Sequence, residues 1–236
     1  MNGKAIIKFL VVIAAIIGLF AYFIQPLAGS LKQGLDLQGG THIVLEAEDS
    51  ATGTADNDAV ERAKQILERR INEMGLSEPL VQREGARRII IELPGVKDPD
   101  EAIKRIGKTA VLEFKNDQGQ TVMTGDDLKD AKEELGQNKQ PLVAIELSDE
   151  GAKKFADLTS KNIGRRIAIT LDGKELTNPV VQQAITGGKA TISGSQSLEE
   201  AKDLAILLRS GALPVKINVL EVRTVGPSLG QDSKDK

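Results

Sequence analysis

The chain has 236 residues, a net charge of −3, no cysteine, no tryptophan and one histidine. Without cysteine there are no disulfides, thiolate metal sites or cysteine nucleophiles, and His42 alone leaves little from which to build a zinc site or a Ser-His-Asp triad. The slightly acidic balance and an aromatic content of 3% give neither the basic footprint of a nucleic-acid binder nor stacking platforms for bases or sugars, so no metal, cofactor or nucleic acid is expected.

The first element is apolar. Ile6–Ile24 carries one charge, Lys8, and at about 1.5 Å per residue measures about 28 Å, close to the hydrocarbon thickness of a bilayer. Lys4 and Lys8 flank its start and the next positive charge is Lys32. The positive-inside rule then places Met1 in the cytoplasm and everything after about Gln25 outside. A cleaved signal peptide shares this layout. Its apolar core is usually shorter, however, and Pro26-Leu27-Ala28 is a poor cleavage site, so a retained single-pass anchor is expected.

Gly34-Leu35-Asp36-Leu37-Gln38-Gly39-Gly40 follows. Its glycines permit positive φ or close backbone approach, and Asp36 is suited to accept backbone hydrogen bonds in a turn; by itself the string reads as a tight entry into a sheet. Thr41–Glu48 is the first strand, with Ile43, Leu45 and Ala47 alternating to one side. A helix is expected from about Asp58 to Met74, N-capped by Asp56, with Val60, Ala63, Leu67 and Ile71 in one stripe and Gly75 beyond its end. Leu80–Arg83 and Arg88–Leu93 pair as a hairpin, a short helix begins after Asp98 with Pro99 first, and Ala110–Lys115 is the next strand. The order β-α-β-β-α-β predicts an α+β fold of the split βαβ, ferredoxin-like type.

The turn-rich Asn116–Gln120 marks a change. A helix near Asp126–Leu135, a strand Leu142–Leu147, a helix capped by Ser148, a strand Ile167–Leu171 and a strand-like run Pro179–Ile185 are expected, closed by Thr186-Gly187-Gly188. Lys189–Gly194 resumes as a strand or connector. Ser197 and Glu200 then form a capping box for a helix reaching about Arg209, and Pro214–Arg223 is the last extended run.

Three blocks carry a family resemblance. They are the glycine string 34–40; Leu171-Asp172-Gly173 with Asn178-Pro179-Val180-Val181 and Ile185-Thr186-Gly187-Gly188; and Leu207–Pro214 with Glu221–Gly230. In this order they resemble the SecD family of bacterial protein export, almost end to end. The resemblance implies a ferredoxin-like base at 31–116 plus 189–230 and an inserted α+β head lobe at 117–188, after an anchor within 1–30 and before a polar tail at 231–236. It implies an accessory, non-enzymatic role in the inner membrane. SecF, the SecYEG channel, the lipid bilayer and an emerging unfolded preprotein would be the partners, and proton flow through further membrane helices would drive the movement. Phe9–Ile24 holds no Asp, Glu, Lys, Arg or His, and the chain stops at Lys236 where family members continue into membrane helices. A fragment, a split-gene half or a deliberately shortened chain is expected, with proton coupling supplied elsewhere.

Preprotein contact is expected at sheet edges or shallow apolar grooves, with Leu142, Val143, Ile145, Val180, Val181 and Ile185 as candidates. Hinges are expected where the lobes join, at Asn116, Gly119, Gly187 and Gly188. A single-pass sensor or adhesin remains the alternative. An extracytoplasmic enzyme would need a clustered acid/base pair that the spacing does not show.

Overall fold

The alternating apolar residues of Thr41–Glu48 need a covered face, and the amphipathic helix that follows supplies it. The computed structural model describes residues 39–49, 53–76, 79–96 and 98–226, together with Ile13 and Leu35. Strands β1 (Gly40–Glu48), β2 (Leu80–Glu84) and β3 (Arg88–Pro94) join β11 (Lys216–Val225) in an antiparallel sheet of order β11-β1-β3-β2. Helix α1 (Asn57–Glu73) starts at Asp56, whose carboxylate accepts from the Ala59 N–H at 2.7 Å. Its Val60, Ala63, Leu67 and Ile71 are wholly buried with Ile43, Ile89 and Ile91 of the sheet. Helix α2 (Pro99–Ile106), capped by Asp98, adds Ala102 and Ile106 to this first core.

The second core is built from two sheets and two helices. β6 (Leu128–Leu135), β7 (Pro141–Leu147) and β10 (Lys189–Ser193) lie in the order β10-β7-β6. β4 (Leu112–Lys115), β5 (Thr121–Thr124), β8 (Ala168–Leu171) and β9 (Lys174–Thr177) lie in the order β5-β4-β8-β9. Helix α3 (Asp149–Lys161) is capped by Ser148 and passes so close to the Asp127 carbonyl that a Cβ on Gly151 would stand 2.3 Å from that oxygen. Helix α4 (Leu198–Ser210) is capped by Ser197, which accepts from the Glu200 N–H at 3.1 Å. The Glu200 carboxylate bonds the Gln196 N–H rather than that of Ser197. Phe114 and Phe155 meet edge to face at 6.0 Å in the middle of this core.

Several expectations are corrected. The fourth strand of the first sheet is β11, not Ala110–Lys115. Leu112 and Phe114 alternate as a half-buried strand must, but alternation does not name the partner. Ala110, at φ 61°, turns the chain away from the first core. Asp172 holds that turn by accepting from the Ala110 and Val111 N–H groups at 3.1 and 2.9 Å. The helix expected near Asp126–Leu135 is instead a 3-10 turn, Gly125–Asp127, followed by β6. Lys129, Lys132, Glu133 and Glu134 are good helix formers, yet pairing along β7 and the cover of α4 override local preference. Pro179–Ile185 is not a strand. It contributes single bridges from Val180 to Arg166 and from Val181 to Ile163. Finally, β10 and most of the apolar face of α4 pack with the second core, while α4 also meets α1 of the first.

Among the described residues no helix is long and apolar enough to cross a membrane. The expected span Ile6–Ile24 lies outside them apart from Ile13, as does the polar tail.

Candidate functional site

The second core carries a groove of about 740 Å³ between the β10-β7-β6 sheet and the segment Pro179–Ile185. Its larger apolar side chains come from four places: Ile145 on β7, Phe155 on α3, Ile167 and Ile169 at β8, and Val181 and Ile185 on the irregular segment. Val180 stands at the rim, 45% exposed.

Local hydrogen bonds hold that segment in place although it joins no sheet. The Val181 carbonyl accepts from the Gly164 N–H at 2.8 Å, and the Val181 N–H donates to the Arg165 carbonyl at 2.9 Å. The Pro179 carbonyl accepts from the Ile167 N–H at 3.1 Å. In the last turns of α3, the Thr159 hydroxyl donates to the Phe155 carbonyl at 2.7 Å and accepts from the Ile185 N–H at 3.0 Å. One wall of the groove is therefore a loop with its backbone tied down, a form suited to a preformed binding surface.

Part of the polar rim neutralises itself. Glu146 pairs with Lys129 at 2.6 Å and Asp130 with Lys132 at 3.2 Å. The hydrogen bond from Lys129 holds the Glu146 carboxyl below its ordinary range, and that from Lys132 does the same for Asp130. Both shifts favour the charged form, opposite to what a proton-transfer group working near neutrality requires. The arrangement offers apolar contact inside and paired charges outside. It selects for shape and hydrophobicity rather than for ligand charge.

Ile145, Val180, Val181 and Ile185 thus come together at the groove. Leu142 and Val143 do not line it, and Val143 is wholly buried in the second core. β7 is the middle strand of its sheet, paired with both β6 and β10, so Leu142–Leu147 offers no free main-chain edge. The lining contributed by Phe155 and Ile167 was missed, because a helix stripe and a strand end read as ordinary core.

The expected hinge residues do not lie where the chain passes between the two cores. Asn116 and Gly119 form the β4–β5 turn, where the Asn116 carboxamide accepts from the N–H groups of Gln118 and Gln120. Gly187 and Gly188 immediately precede β10, and the Gly188 carbonyl accepts from Leu147 N–H at 2.8 Å. All four lie within the second core's own connections. The chain passes between cores at Gly107–Ala110 and Gly211–Leu213. Glycine directly after a helix was the available signal, and Gly107 and Gly211 both show it.

Of the glycine string, Leu35, Gly39 and Gly40 are described, and Gly34, Asp36, Leu37 and Gln38 lie outside the described residues. The Gly39 N–H donates to the Leu35 carbonyl at 2.7 Å, and the Gly39 carbonyl accepts from Gly95 N–H at 3.0 Å. Gly40 has φ 148°, and a Cβ there would stand 2.4 Å from the Leu93 carbonyl oxygen. The end of the string is therefore wedged against the end of β3, where no side chain fits.

Comparisons with known proteins agree with this architecture. Three family models match: the SecD/SecF GG motif over residues 31–51, the N-terminal part of the SecDF P1 domain over 60–119, and the SecDF P1 head subdomain over 103–215. The protein translocase subunit SecD of Acidaminococcus fermentans is 58% identical over 235 residues, covering all of this chain and 56% of the relative. That of Desulfurispirillum indicum is 33% identical, covering all of this chain and 68% of the relative. A crystal structure of SecDF in a super-membrane-facing form superposes with a TM-score of 0.75 at 42% identity, over 87% of this chain and 33% of that one. A structure described as that of a membrane component SecDF that enhances protein export superposes with a TM-score of 0.70 at 40% identity, over 77% of this chain and 99% of that one. The chain spans about half the length of the first curated relatives it matches. On these matches the chain belongs to the SecD family of protein translocase subunits.

Proposed function

We propose that this chain is the outer, polypeptide-handling part of an accessory export subunit. The first core, with sheet order β11-β1-β3-β2 and two helices, serves as a ferredoxin-like base, and the second core serves as the head. The base comprises about residues 40–106 and 213–225, so the head is larger than the turn signals alone imply. Ile6–Ile24 anchors the base to the cytoplasmic membrane with Met1 inside. SecF, the SecYEG channel and the translocating preprotein are its partners, and it performs no catalysis.

The observation that carries this reading is the head groove. An unfolded client of arbitrary sequence needs a site that accepts apolar side chains without demanding a particular charge. Ile145, Phe155, Val181 and Ile185 offer the first property, and the self-paired rim offers the second. Membership of a family named for protein translocation supports the same conclusion.

The test is equilibrium binding of an unfolded, apolar-rich peptide to the isolated chain. Val180→Asp and Ile185→Asp should weaken binding by about tenfold or more, because each places an unpaired charge where apolar side chains dock. Leu135→Asp, at an exposed position outside the groove, should leave it unchanged. Equal binding by all three variants would remove the groove from the account.

A further inference from the structure

The β10-β7-β6 sheet has two outer edges, and they differ. On β6 the Ala131 carbonyl accepts from Arg209 Nη1 of α4 at 2.5 Å, and α4 packs along the strand. That edge is covered. On β10 the register fixes which groups are engaged. The Leu147 N–H donates to the Gly188 carbonyl at 2.8 Å, so these two residues face each other as a hydrogen-bonded pair. Bonded and non-bonded pairs alternate along an antiparallel ladder. Ala190 opposite Ile145 and Ile192 opposite Val143 are therefore bonded pairs too. Lys189, Thr191 and Ser193 direct their main-chain groups the other way, away from β7.

β9 closes off the far end of this edge. The Ser193 and Thr177 hydroxyls meet at 3.3 Å, and a Cβ on Gly194 would stand 2.8 Å from the Leu176 carbonyl oxygen. The near end is open. Among the described residues no main-chain hydrogen bond engages the outward N–H and C=O groups of Lys189 and Thr191. Those same two residues line the groove, across from Gln182, Gln183 and Ile185.

This open edge decides what kind of occupant fits. An apolar molecule filling the groove up to β10 would strip water from these groups and give them no partner, which is costly. An amphipathic helix would do the same, because its own main-chain groups are already paired along its axis. An extended polypeptide brings N–H and C=O groups at the spacing of a strand and pairs with them. Its side chains would alternate between two unlike faces. One face carries Ala190 and Ile145; the other carries Lys189, opposite Glu146, and Thr191, opposite Ala144. The apolar face prefers apolar side chains at every second position, while main-chain pairing makes no demand on sequence.

We infer that the groove takes its client as an added strand, paired to the free edge of β10 at Lys189–Thr191. The segments it recognises are extended ones with apolar side chains at alternate positions, and helical segments are refused. This rests on the reading of the groove as a polypeptide site. The strand is only five residues long and begins with a lysine, two features that keep an open edge from pairing permanently with other chains. Capture at this edge is accordingly reversible.

The probe is a short fluorescent peptide of alternating valine and serine with lysine at both ends, titrated against the full chain by anisotropy. Two further versions carry backbone N-methyl groups, one on the valines and one on the serines. In a strand, successive N–H groups point to opposite sides, so only one of these versions loses the donors that face β10. That version should bind at least about tenfold more weakly and the other within about twofold of the parent, since each lost bond is worth about half to one decade. On the protein, the Thr191 N–H should exchange at least about tenfold more slowly in the presence of saturating peptide, as followed by nuclear magnetic resonance. Thr191→Pro removes an outward donor without removing a bond to β7, and should weaken binding while far-ultraviolet circular dichroism stays unchanged. Equal binding by both methylated versions, or unaltered exchange at Thr191 with peptide bound, overturns strand addition. If Val180→Asp and Ile185→Asp still weaken binding in that case, the groove reading stands without it. Failure of the parent peptide to bind at all overturns both.

Discussion

Phe155 and Phe114 form one aromatic pair, yet truncating them should not cost the same. Phe114 is wholly buried, whereas Phe155 also lines the groove. Phe→Ala in a core costs about 3–5 kcal/mol, a sum of lost transfer energy and the cavity left behind. At Phe114 the cavity is sealed, and the edge-to-face contact is lost with it, so the expected loss is about 5 kcal/mol. At Phe155 the space opens into the groove and water can enter, which removes much of the cavity cost and leaves about 3 kcal/mol. Urea unfolding followed by far-ultraviolet circular dichroism measures both, since the chain has no tryptophan. With a slope of about 1–3 kcal/mol per molar, Phe155→Ala should lower the midpoint of the head transition by about 1–3 M, and Phe114→Ala by clearly more at the same slope. The transition of the first core should not move. Equal losses, or a larger loss at Phe155, would mean that the groove is closed to water and that its geometry has been misread.

Other consequences follow from single contacts. Gly40→Ala should lower first-core stability by at least about 2 kcal/mol through its clash with the Leu93 carbonyl, whereas Gly85→Ala, with φ 64° and open space, should cost about 1 kcal/mol; thermal unfolding of the two variants checks the order. Acidification should weaken the head. Glu113 is held below its ordinary value of 4.5 chiefly by the hydrogen bond from Lys115, and Glu146 likewise by that from Lys129. The folded chain therefore binds fewer protons than the unfolded one below about pH 4.5, and the stability present above that pH is lost as pH falls through the folded values. Lys115→Met should make the pH dependence of the urea midpoint shallower there; an unchanged slope would contradict the assignment. Ser197→Ala should cost the head about 1 kcal/mol by freeing the Glu200 N–H, readable as a small fall in the same midpoint.

Much of the fold was legible because it is written locally. Asp56, Asp98, Ser148 and Ser197 each sit where an N-cap belongs, and each accepts the hydrogen bond its position predicts. The stripe Val60–Ile71 and the alternation Ile43–Ala47 likewise name their buried faces without reference to anything distant. Strand partners were not legible. Lys216–Val225 pairs with β1 from the far end of the chain, and Leu112–Lys115 was assigned to the nearer sheet because sequence proximity was the only guide available. β6 was misread for a related reason: its lysines and glutamates favour helix, and only the neighbouring β7 makes it a strand. Of the groove, Ile145, Val180, Val181 and Ile185 were named from apolar character alone. Their convergence depends on the bonds from Gly164, Arg165 and Thr159, which no periodicity encodes. Arg70 of α1, wholly buried, was invisible for the opposite reason. An arginine on a charged helix reads as surface, and only the acceptors brought by both connections between the cores, the Ile106 carbonyl on one and the Gly211 carbonyl on the other, explain its burial.

The central claim is that the head groove touches polypeptide in transit. A photo-reactive residue placed at Val180, on the groove rim, should crosslink to a preprotein arrested part-way through the channel. The same residue at Leu135, exposed but outside the groove, should not. Crosslinks from Leu135 and none from Val180 would contradict the account.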